Sequence, residues 1–347
     1  MDGRVLPYLE HYVSTYQDYK VNWNYEDGCV LVGCIRLYEA TGNTLYRDKV
    51  LEYLDRRVAE DGSIPSFSVT QYSIDNINTG KTLFFALKET GAEKYRKAIE
   101  FHMQRLQGHP RCQCGNFWHK EIYPNQIWLD GLYMAQPFYM AWEKEYDAYG
   151  HLSDITSQFK NVRRFLYDEA KGLYYHGFDE ARIQPWCDKE TGLSKNFWLR
   201  AMGWYLMALV DCIELCDEQL YEHYRCLVDL LRESIHGILK YQDKETGMFY
   251  QVIDRADAEG NYLETSGSAM VACAILKGVR LHVLDASYAP IGQKIFDSIC
   301  RRALREENGQ LRLCDICRVA GLGPGEKRDG SVAYYLSEEV CADDSKG

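Results

Sequence analysis

The amino-acid sequence predicts an all-α protein, an (α/α)6 barrel in which six helical hairpins close into a ring. Apolar stretches rich in glycine and alanine recur with helical periodicity, and stretches with one charged face alternate with them. A helix that is apolar nearly all round has to be buried on every side, whereas a helix with one charged face belongs outside. We therefore expect a single domain over residues 1–347, with inner helices ringed by outer helices.

The predicted inner helices share an apolar composition with many small residues. They cover residues 27–41, 75–90, 129–146, 197–216 and 265–284, with a weaker one from 330 to about 340. Small residues such as Gly80, Gly131 and Gly203 let buried helices approach each other closely. Up-and-down pairing of the hairpins then brings the N-terminal ends of all inner helices to one rim.

The predicted outer helices each carry one charged face, and they cover residues 2–17, 43–59, 92–107, 151–168, 220–241 and 290–304. Between outer and inner helices lie turns in which a glycine precedes aromatic or β-favouring residues, as at Gly62, Gly172 and Gly247, with a weaker copy at Gly309. An open solenoid of helical hairpins is the alternative. The irregular repeat length and these long loops favour the closed barrel.

Composition excludes several classes of function. The net charge is −11 without a basic block, so we expect no nucleic-acid partner. No run of 18 apolar residues is present, so we expect no membrane partner. The first residues, 1–12, lack the apolar core of a secretory signal, which predicts a cytoplasmic protein, and we expect a monomer or weak homodimer.

The 13 cysteines lie mostly in apolar helical stretches, which predicts free thiols. The pairs Cys112-x-Cys114 and Cys314-x-x-Cys317 could suggest zinc. Their spacings differ and neither has a matching second Cys or His set nearby, so we expect no metal site.

Residues that could take part in catalysis lie where the inner helices begin. Asp75, Asp130 and Arg200 lie there, accompanied by Trp128 and Trp198. Aspartate at a helix start is often only an N-cap, but tryptophan and arginine are poor caps. The 27 Tyr, 12 Phe and 7 Trp suit a groove that stacks on sugar rings, although tyrosine can also simply fill a core. The set predicts a site for glycan hydrolysis.

Asp130 is the strongest candidate for a general acid. Apolar residues surround it in sequence, and an apolar setting disfavours the ionised form of a carboxyl group. His119 and His176 lie on loops that enter the same rim, where each could equally be a structural histidine.

Three segments resemble a known family in the same order. Residues 128–138 (WLDGLYMAQPF), 197–204 (FWLRAMGW) and 264–270 (ETSGSAM) resemble motifs of the unsaturated rhamnogalacturonyl hydrolases, glycoside hydrolase family 105. The resemblance covers most of the chain and implies the same (α/α)6 barrel. It also implies removal of a 4,5-unsaturated uronic acid from the non-reducing end of pectin fragments, by hydration of the C4=C5 double bond.

The resemblance implies roles for individual residues. Asp130 is the expected catalytic acid and base, and Asp75 is the second active-site aspartate. The expected substrate-binding residues are Tyr25, His119, Trp128, Met134, His176, Trp198, Arg200 and Trp204, with Lys327 as the basic residue of the segment 321–330. The family chemistry implies neither a metal nor an organic cofactor. The expected partner is an unsaturated uronic-acid oligosaccharide.

Two other functions stay open. One is an unsaturated glucuronyl hydrolase with the same barrel that acts on glycosaminoglycan fragments. The other is a barrel without catalysis that binds glycans. The presence of both Asp75 and Asp130 argues against the latter.

Overall fold

The computed structural model describes residues 2–347, in which buried helices alternate along the chain with helices that keep one exposed face. The inner helices are α2 (Tyr25–Thr41), α4 (Asp75–Asn78) with α5 (Lys81–Thr90), α7 (Leu129–Tyr146), α9 (Leu199–Leu215), α11 (Thr265–Arg280) and α13 (Val332–Ser337). The outer helices are α1 (Val5–Thr15), α3 (Thr44–Arg57), α6 (Glu93–Gln107), α8 (Leu152–Leu166), α10 (Tyr221–Leu239) and α12 (Ala289–Arg302). This alternation is that of the predicted barrel.

Consecutive inner helices pack side by side: α2 on α5, α4 on α7, α7 on α9, and α9 on α11. Helices α7 and α9 are buried along most of their length. Gly267 permits the close approach of α11 to α9, because a Cβ atom at this position would lie 2.5 Å from Cγ of Leu199. The small residue at this position thus lets the starts of α9 and α11 lie close together.

The second inner helix is not continuous, which corrects the prediction of one helix over 75–90. Residues 79 and 80 separate α4 from α5 and form tighter i→i+3 hydrogen bonds, such as that from Gly80 N to Ile77 O at 3.0 Å. A Cβ atom on Gly80 would lie 2.7 Å from Cδ2 of His102 on α6. The close packing against α6 therefore accompanies the change of helix geometry.

The two ends of the described chain contact each other. The Arg4 guanidinium donates to Leu304 O at 3.0 Å, and the Tyr8 hydroxyl donates to Asp343 Oδ1 at 2.9 Å. The sixth inner helix, α13, is shorter than the predicted 330–340. These contacts join the first helix to the C-terminal part of the chain.

Short antiparallel strand pairs lie in the loops that connect the helices. They are β1 (Gln126–Trp128) with β4 (Gly177–Asp179), β2 (Tyr167–Asp168) with β3 (Leu173–Tyr174), β5 (Leu304–Glu307) with β6 (Gln310–Leu313), and β7 (Ile316–Cys317) with β8 (Val340–Cys341). Gly172 and Gly309 have positive φ angles of 71° and 76°, as their turns require. Among the described residues, no helix is long and apolar enough to cross a membrane.

Candidate active site

A cavity of about 370 Å³ opens where the inner helices begin. Tyr25 and Asp75 are the first residues of α2 and α4, while Asp130 and Arg200 are the second residues of α7 and α9. Nine predicted site residues line it: Tyr25, Asp75, His119, Trp128, Asp130, Met134, Trp198, Arg200 and Trp204. The expected convergence of these side chains on one rim is present.

Capping explains some rim carboxylates but not the two predicted catalytic ones. The Glu264 carboxylate accepts hydrogen bonds from the backbone N–H groups of Ser266 and Gly267, so Glu264 caps α11. The side chains of Asp75 and Asp130 accept no such bond from their own helices. Their carboxylates are therefore available for other partners.

Asp75 is held in its ionised form by a cation that the sequence analysis missed. The Lys120 Nζ lies 2.6 Å from Asp75 Oδ2, and the His119 Nε2 lies 3.5 Å from Oδ1. Burial acts to raise the pKa of Asp75, but Lys120 and His119 outweigh it, so that pKa lies below its usual value. Lys120 directly follows the predicted His119, and this adjacency was the only sequence signal for it.

Asp130 has a different environment from Asp75. Its Oδ2 is buried and lies 3.3 Å from Nε2 of His176, whose ring is completely buried. His176 belongs to the β3–β4 loop, and its carbonyl accepts a hydrogen bond from Leu129 N at 3.0 Å. His176 thus contacts Asp130 without itself lining the cavity.

Aromatic rings form the walls of the cavity. The His119 ring stacks on Trp128 with centroids 4.2 Å apart, and Tyr123 stacks on the same indole at 4.9 Å. Burial lowers the pKa of His119 to about 4, so this imidazole is neutral at neutral pH. Farther in, Trp204 stacks on Tyr133 at 4.7 Å. Flat apolar faces with polar edges suit the binding of a sugar ring.

Arg200 is almost fully buried, with 1% of its surface exposed. Its Nε donates to Ser266 Oγ at 2.8 Å, and its two terminal nitrogens donate to the carbonyls of Arg318 and Cys317. Glu264 Oε1 lies 3.5 Å away. The planar guanidinium therefore ties α9 to α11 and to the C-terminal segment, and its contact with substrate stays a prediction.

The structure places Arg328 at the cavity, and not Lys327, the basic residue predicted for the segment 321–330. Lys327 is exposed and does not line the cavity, whereas the neighbouring Arg328 does. Within residues 2–347, the Arg328 side chain has no hydrogen bond or ion pair from protein groups. The backbone of this loop, where Gly323 N bonds to Arg328 O at 3.2 Å, decides which of the two side chains points inward.

The cysteines lie outside the cavity, and all 13 are free thiols in the described chain. Cys112 and Cys114 meet Glu180, with the candidate ligand atoms within 4.8 Å of one another. Both Glu180 oxygens already accept backbone N–H bonds, from Gln113 at 2.7 Å and Cys114 at 3.1 Å. This carboxylate therefore has a structural role in shaping the loop.

Comparison with known proteins identifies the family. The sequence model of Glycosyl Hydrolase Family 88 matches residues 4–347. A family 105 glycoside hydrolase from C. acetobutylicum is 41% identical, covers 98% of this chain and 95% of its own, and superimposes with a TM-score of 0.93. The chain belongs to the glycoside hydrolase 88/105 family. It is a glycosidase, and both the resemblance and the barrel predicted from sequence are confirmed.

Two further relatives of this glycosidase have more specific names. The unsaturated rhamnogalacturonyl hydrolase YesR of Bacillus subtilis is 28% identical over 266 residues, which are 75% of this chain and 72% of YesR. The unsaturated glucuronyl hydrolase of Bacillus sp. GL1 is 17% identical, with 91% and 85% of the two chains covered and a TM-score of 0.62. At that identity the second likeness concerns the fold alone.

Proposed function

We propose that this glycosidase removes a 4,5-unsaturated uronic acid from the non-reducing end of rhamnogalacturonan fragments, with residues 1–347 acting as one catalytic domain. The observation that carries this proposal is the contrast between the two cavity carboxylates. Asp75 is ionised beside Lys120, whereas Asp130 lies beside buried His176 and pairs with no lysine or arginine among the described residues. Asp75 is thus suited to stabilising positive charge on the substrate, and Asp130 is suited to proton transfer.

The cavity also suits an anionic sugar. Three of its four cations are already paired: Lys20 with Glu26, Lys120 with Asp75, and Arg200 with Glu264. Only Arg328 lacks a protein partner within residues 2–347. A uronate carboxylate would supply that partner, because guanidinium and carboxylate groups match in a two-point hydrogen bond. The likeness to YesR supports a pectin-derived substrate.

The proposed chemistry is hydration of a vinyl ether. Asp130 donates its proton to C4, the π electrons of the C4=C5 bond form the new C4–H bond, and positive charge develops at C5 and the ring oxygen. The resulting Asp130 carboxylate takes a proton from water as that water adds to C5. The hemiketal then opens and releases the second sugar. Asp75 stabilises the developing positive charge.

Isotope incorporation tests this mechanism. In heavy water, lyase-digested rhamnogalacturonan should yield a product with deuterium at C4, whereas a displacement at C1 would leave C4 unlabelled. Labelling absent from C4 while substrate is consumed would refute the hydration step. Lyase-digested glycosaminoglycan is tested as a second substrate. If the protein hydrolyses it faster than the pectin fragments, the proposed substrate is wrong and the protein is an unsaturated glucuronyl hydrolase.

Asp130→Asn tests the proton donor. We expect kcat to fall by about 10² to 10⁴, the usual contribution of a positioned acid and base. Binding should persist, because the aromatic walls and Arg328 are unchanged. Asp229→Asn is the matched control, since Asp229 lies exposed on α10, far from the cavity lining. Near-normal turnover of Asp130→Asn would mean that another group donates the proton.

A further inference from the structure

Behind Asp130 lies a chain of polar contacts that extends to the last inner helix. Nδ1 of His176 lies 2.8 Å from the hydroxyl of Tyr335 on α13, in a hydrogen bond. Nε2 of the same ring lies 3.3 Å from Asp130 Oδ2, and both of these buried atoms lack a hydrogen-bond partner among the described residues. Both His176 and Tyr335 are completely buried, with relative exposures of 0%. The three groups come from segments that are far apart in sequence.

The direction of the hydrogen bonds follows from the protons available. Burial raises the pKa of Tyr335 well above its usual value of 10, so the hydroxyl keeps its proton. Within the described residues, Nδ1 of His176 is the one hydrogen-bond partner of this hydroxyl. If Tyr335 donates to Nδ1, the ring proton of this tautomer lies on Nε2, the nitrogen 3.3 Å from Asp130 Oδ2.

The opposite tautomer is disfavoured. A proton on Nδ1 would leave the Tyr335 proton without an acceptor in a buried site, which costs free energy. It would also place the Nε2 lone pair against an oxygen of the Asp130 carboxylate. The tyrosine therefore selects the imidazole tautomer that can donate to Asp130.

We propose that Tyr335 is a positioning residue, which acts through His176 to stabilise the carboxylate that Asp130 becomes when it gives its proton to substrate. This inference rests on the proposed role of Asp130. With Oδ2 buried against His176, Oδ1 is the oxygen left to face the cavity and deliver the proton. A small approach of the two groups lets Nε2–H donate to Oδ2, and this bond strengthens as negative charge develops on the carboxylate.

The surroundings hold Tyr335 in place. Its backbone carbonyl accepts from Nε2 of Gln251 at 3.3 Å, and Gln251 Oε1 accepts from the Trp198 indole at 3.1 Å. The Tyr335 ring stacks on that indole with centroids 6.0 Å apart. Removal of the hydroxyl alone should leave these contacts intact. Tyr335→Phe is therefore a fair test of the hydroxyl.

We expect Tyr335→Phe to lower kcat about tenfold, the effect of one hydrogen bond, and to change KM less than twofold. The matched control is Tyr95→Phe, which removes a buried hydroxyl bonded to Asp55 on an outer helix. A double-mutant cycle with His176→Gln follows. If Tyr335 acts through His176, its substitution should have no further effect on kcat in that background. Full additivity would overturn the proposal.

The pH profile gives a readout that a merely structural role would not move. If the hydroxyl acts through His176 on the proton donor, the pH profile of kcat should differ between the wild type and Tyr335→Phe, and should be the same in the wild type and Tyr95→Phe. The other charged or titratable groups facing the same cavity are Asp75 of α4, His119 and Lys120 of the loop before β1, Arg200 of α9, and Tyr25, Glu26, Lys20, Tyr123 and Arg328 at its rim. All of them are unchanged in the variant. An identical pH profile in the wild type and Tyr335→Phe would contradict the proposal.

Nitrogen NMR of histidine tests the tautomer without any turnover. The His176 signals, assigned by their loss in His176→Gln, should report the Nε2–H tautomer in the wild type and a shift towards the other in Tyr335→Phe. If the wild type hydrolyses no unsaturated substrate while the tautomer changes as expected, the proposed function fails and the hydrogen-bond arrangement stands. If activity is present and the tautomer is the same in both proteins, the proposed action of Tyr335 through His176 fails.

Discussion

The ion pair between Lys120 and Asp75 allows a quantitative prediction. Lys120→Met keeps most of the length of the side chain but removes the charge 2.6 Å from Asp75 Oδ2. The Asp75 side chain is only 10% exposed, so its carboxylate would be left buried without its cation. Breaking such a pair costs about 3–5 kcal/mol when both groups are fully buried. Because the Lys120 side chain is 27% exposed, we expect the free energy of unfolding to fall by about 2–4 kcal/mol.

The loss should depend on pH in a defined direction. In the wild type, the pKa of Asp75 lies below its usual value of 3.8. The stabilising effect of the ion pair is therefore present above that pH and is lost as the pH falls through the lower pKa of the folded state. Without Lys120, burial should move the pKa of Asp75 above the unfolded value. The deficit of the variant is then largest at neutral pH and shrinks in acid.

Urea denaturation followed by tryptophan fluorescence, at pH 7 and at pH values near 5, measures both effects. Asp75→Asn combined with Lys120→Met should recover part of the free energy of unfolding, because neither partner is then charged. Arg225→Met is the control, since it removes an exposed ion pair with Asp229 and should change stability little. A Lys120→Met protein as stable as the control variant, at every pH, would refute this reasoning.

Two further predictions concern buried cations and histidines. Arg200→Lys should lower both stability and activity, because one ammonium group cannot replace the planar guanidinium that bonds Ser266, Arg318 and Cys317. An unchanged urea midpoint and an unchanged kcat would show that these guanidinium hydrogen bonds are dispensable. Burial lowers the pKa of His102 from 6.5 to about 4, so the folded state should lose stability as the pH falls through that interval. His102→Gln should reduce this slope by about 1.4 kcal/mol per pH unit, and an equal slope in both proteins would contradict the assignment.

Local sequence information located most of the barrel. The inner helix predicted over 129–146 is α7 (Leu129–Tyr146), because apolar periodicity depends only on the residues of that helix. The same reasoning placed Asp75 and Asp130 at helix starts on one rim. The break between α4 and α5 was missed because it accompanies packing of Gly80 against His102, a contact made across the fold.

The partners of the site residues were decided by tertiary structure. Sequence patterns indicated that Asp75, Asp130 and His176 belong to one rim, since the two aspartates lie at the starts of inner helices and His176 lies on a loop that enters the same rim. They could not indicate that His176 bonds to Tyr335, 159 positions away, or that Arg328 rather than Lys327 faces the cavity. Helix starts follow from local periodicity, whereas side-chain partners depend on how loops and distant helices pack around the ring.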